Sequence, residues 1–181
     1  MDQIFAPWRI EWVERDNKNA DLEGCPFCVL AEGDDDRSNL VVARSNHSFV
    51  LLNNYPYNPG HAMVIPRRHV DSYAELNDSE LLDHARVKQL TLRSLNAGLN
   101  PDGFNTGMNL GEGAGGSIGD HIHTHIVPRW KGDTNFMPAV GETTVIVEAV
   151  TDTYDRLHEG FAAQPETSLT DSETAVEVSF E

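Results

Sequence analysis

His121, His123 and His125 stand at alternate positions of Gly119-Asp120-His121-Ile122-His123-Thr124-His125-Ile126-Val127-Pro128-Arg129-Trp130, directly behind a glycine-rich run. Side chains at i, i+2 and i+4 of a β-strand leave the same face about 7 Å apart. The three imidazoles are therefore expected on one surface, with Ile122, Thr124 and Ile126 on the other. A helix would scatter them. Three imidazoles in register can bind a metal, or supply a nucleophile with neighbours that hold and protonate it. A single histidine is more often part of an ordinary polar face, but three in register after such a loop point to chemistry.

The run before the histidines holds Gly111, Gly113, Gly115, Gly116 and Gly119 together with Ser117. Glycines let backbone N–H groups approach an anion, so a phosphate cradle is the functional reading and a plain flexible hairpin the ordinary one. The chain's cysteines are Cys25 and Cys28, a single C-x-x-C pair. In a reducing compartment that spacing suggests metal or redox chemistry more than a structural disulfide. Two thiolates fill only half of a tetrahedral zinc site, so further ligands would have to come from elsewhere. Asp34-Asp35-Asp36 is read as a solvated loop, because no metal-ligand spacing accompanies it.

The elements that must position these residues follow from local pattern. Leu40–Ala43, Ser48–Leu52 and His61–Ile65 are short and apolar, with turn residues between them, and are expected to form a meander. Asn77-Asp78-Ser79-Glu80 offers N-cap chemistry to a helix from about Ser79 to Ala97, closed by Gly98. Its apolar stripe is expected along Leu81, Ala85, Leu92, Leu95 and Leu99. A short helix after Cys25, a strand over Phe104–Leu110, an extended Thr143–Glu148 and a helix over Thr151–Ala163 complete the expectation. Residues 1–24 read as an arm anchored by Trp8 and Trp12. Residues 1–163 are expected to form one domain, and 164–181, acidic and rich in Ser and Thr, a disordered tail.

At 181 residues the chain is long enough for one well-packed domain. The net charge of −16, with Lys18, Lys88 and Lys131 the only lysines, argues against a broad nucleic-acid footprint but leaves room for a small anionic ligand. Excess acid with scarce lysine suggests a halophilic setting, where salt screens the self-repulsion. Residues 1–20 mix tryptophan with charge and resemble neither a signal peptide nor a membrane span, so a cytoplasmic protein is expected.

Gly60-His61-Ala62-Met63-Val64-Ile65-Pro66, then Ala114-Gly115-Gly116-Ser117, then His121-x-His123-x-His125-x-x-Pro128-Arg129 resemble the histidine triad superfamily of nucleotide hydrolases and transferases, in order across roughly residues 40–130. Three further stretches are similar to its diadenosine tetraphosphate phosphorylase branch: Asn58-Pro59-Gly60-His61, Phe104-Asn105-x-Gly107-x-Asn109-Leu110-Gly111, and Pro128-Arg129-Trp130-x-Gly132-Asp133-x-Asn135-Phe136-Met137. Thr124 departs from the pattern, which usually has an apolar residue there.

The resemblance implies an α+β fold, an antiparallel sheet of about five strands with helices packed on it, and a homodimer. It implies nucleotidyl transfer through His123 as nucleophile on a dinucleoside polyphosphate. His125 would contact the phosphate oxygens, with His61 across the same pocket. Ser117 and the loop around Gly116 would bind phosphate, with Asn109 near it and Asn53 on the ribose side. It also implies structural zinc on Cys25, Cys28, His69 and His121. His47, His84 and His158 have no such company and are expected on the surface; Arg129 is assigned no role. The acceptor, whether water, phosphate or a sugar phosphate, stays open. So do two other classes: a low-turnover nucleotide-binding regulatory module, and a protein whose triad only binds metal.

Overall fold

Strands form where short β-branched runs alternate between two buried faces. A computed structural model describes residues 24–115, 118–133 and 148–180. In chain order these hold helix α1 (Pro26–Glu32), strands β1 (Val41–Arg44), β2 (Ser48–Leu52) and β3 (Ala62–Pro66), helix α2 (Asp78–Leu99), strands β4 (Gly103–Gly107) and β5 (Thr124–Arg129), helix α3 (Val150–Ala162), and strands β6 (Thr167–Ser168) and β7 (Val176–Val178). The expected arm with Trp8 and Trp12, the Gly116-Ser117 pair and nearly all of the expected 143–148 strand lie outside the described residues.

The architecture is α+β, as expected, but the sheet is larger than five strands and is mixed. Its order is β4-β5-β3-β2-β1-β7-β6. The first five strands pair antiparallel, and β7 then adds to β1 in parallel. The stretch 164–181, expected to be disordered, supplies those two extra strands. Val176 and Val178 are buried while Glu177 between them is exposed, so a short alternating strand lies inside an acidic sequence. Acidity there marks the outer face only.

Both sheet faces are covered. Val50, Leu52, Val64 and Ile126 pack under α2 and α3 with Leu90, Leu95, Tyr154, Leu157 and Phe161. Phe49, Leu51, Met63 and Ile65, the alternate residues of β2 and β3, pack with Phe27 and Ala31 of α1. Gly98 and Gly160 let the two long helices touch: a Cβ on Gly98 would meet the Arg156 carbonyl at 2.4 Å, and one on Gly160 the Ser94 carbonyl at 2.4 Å. Gly98 thus lies inside α2, and the helix ends instead at Asn100 in the left-handed region. At its start, Asn77 and Glu80 form a reciprocal capping box.

The buried stripe of α2 includes the expected Leu95 and Leu99 but otherwise differs from the expected one. It runs through His84, Val87, Leu90, Thr91, Ser94 and Leu95, leaving Leu81 37% exposed. Polar residues hid the stripe from a hydrophobicity reading. His84 and His158 are correspondingly buried, against expectation, because each meets an acceptor: His84 the Thr124 hydroxyl at 2.8 Å, His158 the Thr174 carbonyl at 2.8 Å. Thr124, the departure from the triad pattern, is therefore matched by a histidine beneath the sheet.

A buried ion pair joins α1 to the C-terminal strands. The Arg44 guanidinium donates to Asp36 and to the carbonyls of Leu30, Ala31 and Gly33 at the end of α1. The other Asp36 oxygen accepts from the Ala175 N–H beside β7. Charge buried with this many partners is satisfied, and removing one partner would strand the other.

Val176→Ala is expected to cost about 2 kcal/mol in urea unfolding, since it removes fully buried methyl groups. A disordered tail would give no change. A second expectation concerns acid. Burial, reinforced by the Lys88 ammonium, pushes His84 down to about 4, whereas an unfolded imidazole titrates near about 6.5. The unfolded chain therefore binds more protons in between, so the contribution is complete above the unfolded value and is lost as pH falls toward the folded one. The fall in melting temperature across that window should be shallower in His84→Gln than in the wild type.

Candidate functional site

β5 begins at Thr124, so of the three triad histidines only His125 lies in a ladder, opposite Met63 of β3 and Gly107 of β4. The expected single strand through all three is thus corrected. β3 ends at Pro66, and its carbonyl accepts a bond from the His121 imidazole instead of a strand N–H. The approach to β5 is held by Ile122, whose N–H donates to Val70. Pro128, expected just past the strand, lies within it, where the β3 pairing has stopped at Ile126 and, among the described residues, β4 is the remaining neighbour. The approach remains extended enough to keep the rings together, with His123 and His125 centroids 4.8 Å apart.

The hydrogen bonds assign a tautomer to each ring. His123 Nδ1 lies 3.0 Å from the His121 carbonyl, which can only accept, so Nδ1 carries the proton and Nε2 a lone pair. The Tyr57 N–H lies 3.2 Å from His61 Nδ1 and can only donate, so the neutral His61 is protonated on Nε2. That Nε2–H donates to His125 Nδ1 at 2.9 Å. His125 therefore carries its own proton on Nε2. Burial holds His123 below the ordinary imidazole range, against the opposing pull of the His121 carbonyl, which keeps a lone pair available at neutral pH.

His61, His123 and His125 thus come together as anticipated. Gly60 makes the turn into His61 with φ +78°, and a Cβ there would lie 2.3 Å from the Leu99 side chain. Asn53 is buried: its Oδ1 accepts from the Tyr55 N–H, ordinary turn chemistry, while its Nδ2 points to the Met63 sulfur. Asn109 is exposed two residues beyond β4. Gly111 and Gly115 adopt positive φ at the start of the glycine-rich loop, while Gly116 and Ser117 fall outside the described residues.

Two aromatic residues had no assigned role. Phe27 packs edge-on against both His121 and His123, with centroids 5.5 and 5.2 Å away. Tyr57 stacks on His61 at 4.9 Å. Phe27 lies between the two cysteines, so a C-x-x-C helix set against the triad would have indicated it; nothing local marks Tyr57.

Cys25, Cys28, His69 and His121 also come together, one ligand atom from each lying within 4.8 Å of every other. Cys25 Sγ is 3.3 Å from His121 Nδ1, and Cys28 Sγ is 3.3 Å from His69 Nδ1 and 3.7 Å from His121 Nδ1. A tetrahedral zinc with bonds of about 2.3 Å to sulfur and about 2.0 Å to nitrogen has S···N edges of about 3.5 Å. The donors fit. His121 donates from Nε2 to the Pro66 carbonyl, which leaves Nδ1 for the metal. Burial and the neighbouring Cys25 thiol push Cys28 up to about 11, and a divalent cation would reverse this by stabilising thiolates.

A strand inside the sheet presenting two paired imidazoles, with a third beside a Cys2His2 cluster fit to hold a metal, defines a histidine triad protein. Residues 36–132 match the HIT domain model, and the chain belongs to that family. Among its relatives is the AP-4-A phosphorylase of Mycobacterium tuberculosis, 38% identical over 170 residues that cover 91% of this chain and 87% of that protein. A zinc-bound histidine triad family protein from Mycobacterium smegmatis superposes with TM-score 0.63 at 26% identity, covering 77% of this chain and 94% of that one. A hypothetical histidine triad nucleotide-binding protein from Sulfolobus tokodaii gives TM-score 0.60 at 25% identity, covering 76% and 91%.

Metal analysis of protein purified in zinc should find one ion per chain. Cys28→Ser and His121→Ala are expected to lose it and His123→Ala to keep it; loss on His123→Ala would mean that the triad itself is the metal site.

Proposed function

We propose that the chain is a nucleotidyl-transferring enzyme that cleaves diadenosine tetraphosphate, with inorganic phosphate as acceptor. The observation that carries this reading is the bond from His123 Nδ1 to the His121 carbonyl, which puts the lone pair on Nε2 of a ring 4.8 Å from that of His125. In the proposed first step, His123 Nε2 attacks the α-phosphorus, the bond to the bridging oxygen breaks, and ATP leaves. The product is an adenylyl-histidine. Phosphate oxygen then attacks the same phosphorus, the P–N bond breaks, and ADP forms while the His123 lone pair is restored. His125 donates from Nε2 to the phosphoryl oxygens as charge develops on them, and His61 holds that proton in position.

Support for the substrate class comes from the 38% identity to a protein named as an AP-4-A phosphorylase. Within this reading Gly116 and Ser117 bind phosphate beside Asn109, and Asn53 reaches the ribose; these assignments rest on the motifs. Cys25, Cys28, His69 and His121 hold a structural zinc that stiffens the approach to β5. The homodimer belongs to the same proposal, and β4 is the edge strand on this side of the sheet.

Purified protein incubated with diadenosine tetraphosphate should yield ADP and ATP only when phosphate is present. AMP and ATP formed without phosphate would select a hydrolase, and neither product would defeat the enzyme reading. His123→Ala should reduce turnover at least about 10³-fold, and a trapped adenylyl group should map to position 123 by mass spectrometry.

A further inference from the structure

Three branch-specific sequence stretches meet at one carboxylate. Arg129 donates from Nε and Nη2 to the two Asp133 oxygens at 2.6 and 2.8 Å. Asn58 donates from Nδ2 to Asp133 Oδ2 at 2.8 Å and also to the Pro128 carbonyl at 3.0 Å. The Trp130 N–H adds a bond to Oδ2 at 3.1 Å, and Arg129 Nη1 reaches Asn105 Oδ1 of β4 at 2.8 Å. The Arg129 guanidinium holds the Asp133 carboxyl down at about 2. One carboxylate thus accepts four bonds, a load that neutral Asn could not carry in the same arrangement.

We propose that Asp133 is a positioning residue for the His61–His125 pair, acting through Asn58 to hold the turn that presents His61. The inference rests on the reading of His125 as the group that donates to phosphate. The connection is short. Asn58, gripped by Asp133 and Pro128, accepts the His61 N–H on its own carbonyl at 3.1 Å. The adjacent Tyr57 sets the His61 tautomer through its N–H and stacks on the ring at 16° between planes. His61 Nε2–H then sets His125.

Little slack exists in that turn, because Gly60 leaves it pressed on Leu99 and Pro128. Movement of Asn58 would therefore carry Tyr57 and His61 with it. Loss of the Tyr57 N–H on Nδ1 would weaken the preference of His61 for the proton on Nε2, and with it the tautomer of His125. Its donor would then turn away from the reacting phosphate. Arg129 acts on the substrate only indirectly, as the cation that keeps Asp133 ionised and oriented.

Two readouts test this. Asp133→Ala and Asn58→Ala should each lower kcat on diadenosine tetraphosphate about 10-fold with KM changed by less than about twofold, since geometry rather than binding is lost. The double variant should be no worse than the poorer single one, because both remove the same tie. Ring nitrogen–proton correlation spectra of the zinc-loaded protein should show His61 and His125 protonated on Nε2 in the wild type, and His125 as a mixture of tautomers in both variants. Unchanged tautomers in folded variants, or losses that multiply in the double variant, would overturn the proposal. If Asp133→Ala does not fold, Asn58→Ala alone gives the same decision. A wild type without turnover would remove the enzyme reading, while the spectra would still decide what Asp133 does.

Discussion

The chemistry of this molecule depends on backbone groups choosing imidazole tautomers. A carbonyl can only accept and an amide N–H can only donate, so the His121 carbonyl, the Pro66 carbonyl and the Tyr57 N–H leave no ambiguity at the rings they meet. His123 is left with a lone pair on Nε2, His121 with one on Nδ1, and His61 with a proton to give to His125. Three different arrangements of proton and lone pair are thereby made from one residue type. Side-chain orienters such as carboxylates would add charge and mobility; backbone groups add neither.

The rest of the fold keeps those backbone groups in place. Pro66 ends β3 at the point where its carbonyl is needed, and Ile122 is held by Val70. α1 presses Phe27 against two of the rings and carries Cys28, with Cys25 at its N-cap. The carbonyls at the end of α1 are in turn gripped by Arg44, whose partner Asp36 also receives Ala175. The corner that carries the cysteines and the C-terminal strands consequently share one buried ion pair. Breaking either side of such a pair leaves an uncompensated charge, at a cost of about 3–5 kcal/mol.

The Cys25-Cys28-His69-His121 cluster and the His61–His125 pair divide the triad between them. His121 faces Cys25 and Cys28, while His125 faces His61, and His123 lies between with Phe27 beside it. The bond from His121 to the Pro66 carbonyl holds one end of the extended approach, and the β5 ladder holds the other, so His123 is held on both sides.

Much of the site was legible because its motifs are local. Alternate histidines, C-x-x-C and Gly60-His61 carry their meaning in spacing, since residue type and period limit what each can do. The capping box at Asn77 and Glu80 and the limits of β2 were equally local. The tertiary structure decided what depends on distant neighbours. His84 and His158 lie in the interior because Thr124 and Thr174 offer acceptors 40 and 16 residues away. Val176 and Val178 joined the sheet because β1 had an open edge, which an acidic local composition could not disclose. Arg129 found Asp133, and Asp133 found Asn58, 75 residues earlier in the chain. Spacing determined which groups could react; burial and long-range hydrogen bonding, which free energy settles only once the chain has closed on itself, decided their protons and their partners.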